Sequence, residues 1–155
     1  MPDPFRPAKT EPNSLWVMKL PNRASIFIVC NNEADAERLR TVLNEAGLPS
    51  RSARTITEAC ECARSGGIQV VFSSPYLEDG SWRRLVDLAH YYDLGFEVIL
   101  LARTFSDKEW AEALQEGAFD VLDVLSDLAR AAEVARSAVG ADYLRRFRPR
   151  QKQAA

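Results

Sequence analysis

Residues 68–91 read IQVVFSSPYLEDGSWRRLVDLAHY. An apolar run rich in β-branched residues stops at Ser73-Ser74-Pro75 and passes through an acidic turn with Gly80. Apolar residues then resume at helical spacing, at Trp82, Leu85, Val86, Leu88 and Ala89. The first half reads as a strand covered on both faces and the second as an amphipathic helix. A strand joined this closely to a helix belongs to a crossover unit, and such units build parallel sheets flanked by helices.

The same alternation extends in both directions. SIFIVC (25–30) is a strand, and Glu33 to Ala46 is a helix with Ala36, Leu39, Val42, Leu43 and Ala46 on its apolar stripe, closed by Gly47. Residues 50–54 form a short strand. Thr55 or Thr57 caps a helix to Ser65, which Gly66-Gly67 end. FEVILLA (96–102) is a fourth strand. Ser106 or Asp107 opens a helix to Glu116 with Trp110, Ala113 and Leu114 facing inward, and Gly117 stops it. FDVLDV (119–124) is a fifth strand, after which Ser126-Asp127 start a last helix that runs to about Tyr143 or beyond. Capping residues and glycine stops set these limits. The pattern predicts one α/β domain over residues 24–143, a parallel sheet between two helical layers.

The flanks differ in composition. Residues 1–23 hold Pro2, Pro4, Pro7, Pro12 and Pro21 and read as a flexible N-terminal arm. Its apolar island, Leu15-Trp16-Val17-Met18, suits packing onto the domain or docking to a partner. Residues 144–155 are a basic tail carrying Arg145, Arg146, Arg148, Arg150 and Lys152. Such a run can meet phosphates, yet the net charge of −2 gives no global pull toward nucleic acid, which is not an expected partner.

Other function classes are excluded by what the chain lacks. No apolar run approaches the roughly 20 residues of a bilayer span, and no signal-peptide core is present, so a cytoplasmic location away from membranes is expected. Cys30, Cys60 and Cys62 fit a reducing compartment. Cys60 and Cys62 have no second pair and the single histidine, His90, is distant, so no zinc site is expected. NNEADAE opens the first helix without a glycine, which argues against a dinucleotide or nucleoside-phosphate loop. No acid–base or nucleophile constellation appears; neither an enzyme nor a cofactor is expected.

Five strand–helix units of this length, E-A-D at residues 33–35, L-E-D-G-S-W at 77–82 and G-A-F-D-V-L at 117–122 resemble the receiver domain of two-component response regulators. The resemblance runs from residue 24 to about residue 142. It implies a flavodoxin-like fold with sheet order 2-1-3-4-5. It also implies a phosphorylation site with five parts: an acidic pair for Mg²⁺, an acceptor aspartate, a hydroxyl, a switch aromatic and a lysine. Matched position by position, the acidic pair falls on Asn31 and Asn32 and the acceptor on Ser74, or on Ser73 or Phe72 in a shifted register. The hydroxyl falls on Leu101, with Thr104 three residues later, the aromatic on Val121 and the lysine on Val124. No position keeps the required group.

The chemistry follows. Mg²⁺ prefers carboxylate oxygens near about 2.1 Å. A dication and a carboxylate attract by about 8 kcal/mol at 4 Å and an effective dielectric near 20, before desolvation. Asparagine forfeits that attraction, serine cannot form an acyl phosphate, and Val124 brings no cation.

The expected function is therefore that of a degenerate receiver, or pseudo-receiver, serving bacterial signal transduction as a phosphorylation-independent interaction module. Its partner would be a signalling protein, with a homodimer open. The expected interaction face is the fourth helix, fifth strand and fifth helix, with Phe105, Lys108, Glu109, Glu112, Glu116, Asp120, Asp123 and Arg130. Two other readings stay open. One is a small-ligand sensor using a neutral crevice of Asn31, Asn32, Ser73 and Ser74. The other is a conventional phospho-accepting regulator with Asp79, beyond the strand, as the nearby carboxylate.

Overall fold

The computed structural model describes residues 26–64 and 67–147, the last six of these by their helical backbone alone. The proline-rich arm with its Leu15–Met18 island, the Ser65-Gly66 pair and the tail from Arg148 lie outside the described residues.

Five parallel strands form the central sheet: β1 (Ile26–Val29), β2 (Ser50–Ala53), β3 (Val70–Ser73), β4 (Glu97–Ala102) and β5 (Asp120–Asp123). Their order is 2-1-3-4-5, as the resemblance to receiver domains implied. Val29 stands beside Ser73, and Ser73 beside Leu100, so β1 and β3 end at one level while β4 runs two residues further, to Ala102 beside Asp123 of β5. Helices α1 (Glu33–Glu45), α2 (Ile56–Arg64), α3 (Trp82–Tyr91), α4 (Asp107–Gln115) and α5 (Ala131–Phe147) connect or follow the strands. Among the described residues, no helix is long and apolar enough to cross a membrane.

β1, β3 and most of β4 are apolar and buried because both faces are covered, whereas the edge strand β2 (Ser-Arg-Ser-Ala) and the two ends of β5 (Asp120 and Asp123) are polar. Ile26, Ile28, Val70, Phe72, Ile99 and Leu122 pack against α1 and α5 through Leu39, Leu43, Ala131 and Ala135. Phe27, Val29, Val71, Val98, Leu100 and Val121 pack against α2, α3 and α4 through Ile56, Ala59, Trp82, Leu85 and Ala113. Local signals hold the helix ends. Gly47 adopts φ +81°, which lets its N–H reach Asn44 O and the Leu48 N–H reach Leu43 O, a left-handed stop for α1. Ser106 and Glu109 exchange side chain-to-backbone hydrogen bonds as a capping box for α4.

Three expectations change. The acidic turn after β3 is a small antiparallel hairpin, Tyr76–Leu77 with Gly80–Ser81, and Ser81 then caps α3. Leu114 is 43% exposed: Trp110 and Ala113 supply the inward stripe of a short helix, and Leu114 lies off its edge. The last helix does not begin at Ser126-Asp127. A 3₁₀ turn, Leu128–Arg130, intervenes, and α5 runs from Ala131 through residue 147.

Candidate functional site

The crevice lies where β1, β3, β4 and β5 end, the edge at which open α/β sheets bind ligands. The Ser74 N–H donates to Val29 O at 2.9 Å and continues the ladder one residue past β3. Its Oγ accepts from the Asn31 N–H at 3.1 Å and donates to Asn31 Oδ1 at 3.2 Å. Asn31 Nδ2 donates to Tyr76 O at 2.8 Å, so one asparagine ties the ends of β1 and β3 to the hairpin. Ser74 is buried.

Asn32 takes a different role. Its Oδ1 accepts from the Asp35 N–H at 3.0 Å and caps α1. Asn31, Asn32, Ser74, Leu101 and Val124 nevertheless line one crevice of about 200 Å³, together with Cys30, Asp35, Pro75, Arg103 and Phe105. Ser73 and Phe72 are fully buried, Phe72 among the residues under α1 and α5, and Ser73 Oγ donates to Ser74 O at 2.8 Å. Val121 faces the opposite helical layer, because side chains alternate along β5.

The crevice is not neutral, contrary to the ligand-sensor expectation. The Asp35 side chain is 7% exposed and accepts from Arg38 Nη2 at Oδ1 and from Arg103 Nη2 at Oδ2, both at 2.6 Å. Arg38 Nη1 also donates to Val124 O at 3.3 Å. Burial pushes the Asp35 carboxyl upward, but the two guanidiniums outweigh burial and hold it below the ordinary carboxylate range. The Asp35–Arg38 spacing is visible in sequence as a helical i,i+3 pair. Arg103, 68 positions away, gives no such signal.

These residues do not fit Mg²⁺. Both Asp35 oxygens are engaged by guanidiniums, Asn31 Oδ1 is engaged by Ser74, and Arg103 brings positive charge to the crevice. Among the described residues, no group of three or more histidine, cysteine, aspartate or glutamate side chains could hold a metal ion.

Asp79 lies outside this crevice. Its Oδ1 accepts from the Ile56 N–H at 2.9 Å, and its Oδ2 from the Thr57 N–H at 2.9 Å and Thr57 Oγ1 at 2.8 Å. Burial raises the Asp79 carboxyl, and these three donors outweigh it to leave the pKa lowered. The residue is thus a remote cap on α2, assisted by Thr55, whose Oγ1 accepts from the Glu58 N–H at 3.1 Å.

On the expected interaction face, intramolecular contacts occupy several charges. Glu116 pairs with Arg83 at 2.6 Å, Asp120 with Arg130 at 3.7 Å, and Asp123 Oδ1 accepts from the Leu125 N–H at 2.8 Å. Glu109 belongs to the capping box. Lys108 and Glu112 are exposed, and Phe105 is half-buried at the rim of the crevice. All three cysteines are free thiols; burial raises the pKa of Cys60, which keeps it neutral.

No protein-family model matches the sequence, and no curated protein matches it significantly. Solved structures do match. The signal receiver domain of an HD domain-containing protein from Pseudomonas fluorescens Pf-5 superposes with a TM-score of 0.71 at 24% identity, covering 82% of this chain and 94% of that one. The signal receiver domain of a putative LuxO repressor protein from Vibrio parahaemolyticus gives 0.71 at 17% identity, covering 81% and 96%. A match of 0.56 at 18% identity, covering 64% and 77%, comes from the complex of the Saccharomyces cerevisiae histidine phosphotransfer signaling protein Ypd1 with the receiver domain of its downstream response regulator Ssk1. Each of these identities lies below 25%, so the likeness is one of fold. This chain has the flavodoxin-like fold that those receiver domains share, with Ser74 at the strand end where the crevice opens.

Proposed function

We propose that this chain is a degenerate receiver that serves signal transduction as a phosphorylation-independent protein-interaction module. The observation that carries the reading is Ser74, which is buried with its hydroxyl closed into reciprocal hydrogen bonds with Asn31. An acyl phosphate needs a carboxylate at that position. A serine nucleophile needs a neighbouring base, and the only histidine, His90, is exposed in the last turn of α3. Among the described residues the one carboxylate lining the crevice is Asp35, and it is paired with two arginines.

What supports an interaction role is the surface beside the crevice. Phe105, Lys108 and Glu112 offer an aromatic edge with both signs of charge, suited to a signalling protein or a second copy of this chain. In the Ypd1–Ssk1 complex a receiver of this fold meets a protein partner. The reading assigns the chain no reaction of its own and a reducing, cytoplasmic setting.

The test is amide NMR of the full chain with Mg²⁺ and beryllofluoride, a phosphoryl mimic that requires an acceptor carboxylate. The expected result is no change at Asn31, Asn32 and Ser74. Saturable shifts clustered there would overturn phosphorylation independence.

A further inference from the structure

The geometry points to Asp35 as a latch that holds the loop after β4 against helix α1, fixing the crevice in one arrangement. This deepens the reading above by naming what orders a module that works without phosphorylation. Asp35 is in the first turn of α1, and its carboxylate sits nine-tenths buried in the crevice wall. Arg103 immediately follows β4 and spans to Asp35 Oδ2 at 2.6 Å. Arg38, one helical turn beyond Asp35, takes Oδ1 and also donates to Val124 O after β5. One carboxylate therefore gathers three segments that the sheet leaves as separate loops: the start of α1, the β4–α4 connection and the β5–α5 connection.

Two features show that this connection constrains the loop. Thr104, directly after Arg103, has φ +51°, a left-handed conformation unfavourable for a β-branched residue. Its Oγ1 donates to Arg103 O at 2.6 Å and tightens the same turn. A strained residue persists only where surrounding contacts over-determine it. The Arg103–Asp35 pair supplies such a contact on one side, and the Ser106–Glu109 capping box anchors the other. Phe105, between these anchors, is thereby set at the rim of the crevice. Both guanidiniums are about half exposed and so partly screened by water; what distinguishes the contact is that the carboxylate itself is buried and has both oxygens taken by charge-assisted hydrogen bonds.

The experiment uses the full chain and the variants Asp35→Asn, Arg103→Gln and the double. Arg103 is 48% exposed, so Arg103→Gln tests the latch even if Asp35→Asn fails to fold. Arg103→Lys serves as the conservative variant. The latch predicts that either single substitution shifts or broadens the amide resonances of residues 103–106, with those of β1 and β3 largely unmoved. Arg103→Lys should restore part of the wild-type pattern. Unfolding constants across the cycle should depart from a simple product by about tenfold.

Unchanged resonances at 103–106, with a product obeyed within about twofold, would overturn the latch. That outcome leaves phosphorylation independence standing. Conversely, beryllofluoride binding would overturn phosphorylation independence while a loop that responds to Arg103→Gln keeps the latch.

Discussion

Arg103 Nη2 lies 2.6 Å from Asp35 Oδ2, joining residues 68 positions apart in sequence. The contact makes acid stability a local question. Asp35 binds its proton less readily when folded than when unfolded, and Asp79 is shifted the same way. Their stabilisation is complete above the unfolded carboxylate pKa of about 3.9. It is lost as pH falls through the lower folded pKa of each group. Urea unfolding midpoints followed from about pH 5 to pH 2 should therefore fall more steeply for wild type than for the Asp35→Asn/Asp79→Asn double variant. Parallel curves would show that these two carboxylates do not govern acid unfolding.

Asp79 caps α2 from a hairpin 22 or more residues further along the chain. Asp79→Ala leaves the Ile56 and Thr57 N–H groups without their acceptor. The expected cost is about 1–2 kcal/mol in urea unfolding, the range for losing an N-terminal cap. Asp79→Asn retains one acceptor oxygen and should cost less. If Asp79→Ala is as stable as wild type, Thr55 alone is sufficient to cap α2.

Introducing carboxylates tests why the crevice has none to spare. In the Asn31→Asp/Ser74→Asp variant, two acids replace side chains whose oxygens now stand 3.2 Å apart. Repulsion and lost hydrogen bonds should destabilise the fold at neutral pH by about 1–4 kcal/mol. Mg²⁺ should then recover stability, by about 2.7 kcal/mol at a hundredfold excess over its dissociation constant. Wild-type unfolding should ignore Mg²⁺. A Mg²⁺ response in wild type would contradict the misfit described for its crevice, and no response in the variant would mean that two carboxylates are insufficient beside Arg103.

The legible part of this protein was local. Gly47 stops α1, Ser106, one of the two caps the sequence offered, starts α4, and β-branched runs mark β1, β3 and β4, because each signal is written within a few residues of the element it controls. The crevice was half legible. Ser74 and Asn31 were named as neighbours and touch, whereas Asn32 turned to cap α1 and Val121 faced the other layer. Leu114 went astray because a nine-residue helix leaves its stripe edge ambiguous.

The sequence by itself determined the alternation of strands and helices, the parallel sense of the sheet and the serines, rather than an aspartate, at the end of β3. Tertiary structure alone decided that Arg103 reaches Asp35, that Asp79 crosses from a hairpin to cap α2, and that the crevice carries paired charge. The physical reason is a difference in range. Burial patterns repeat every two or about 3.6 residues and can be read in short windows. A side chain leaving a loop has no period, and its partner is set only when the sheet brings distant strand ends together.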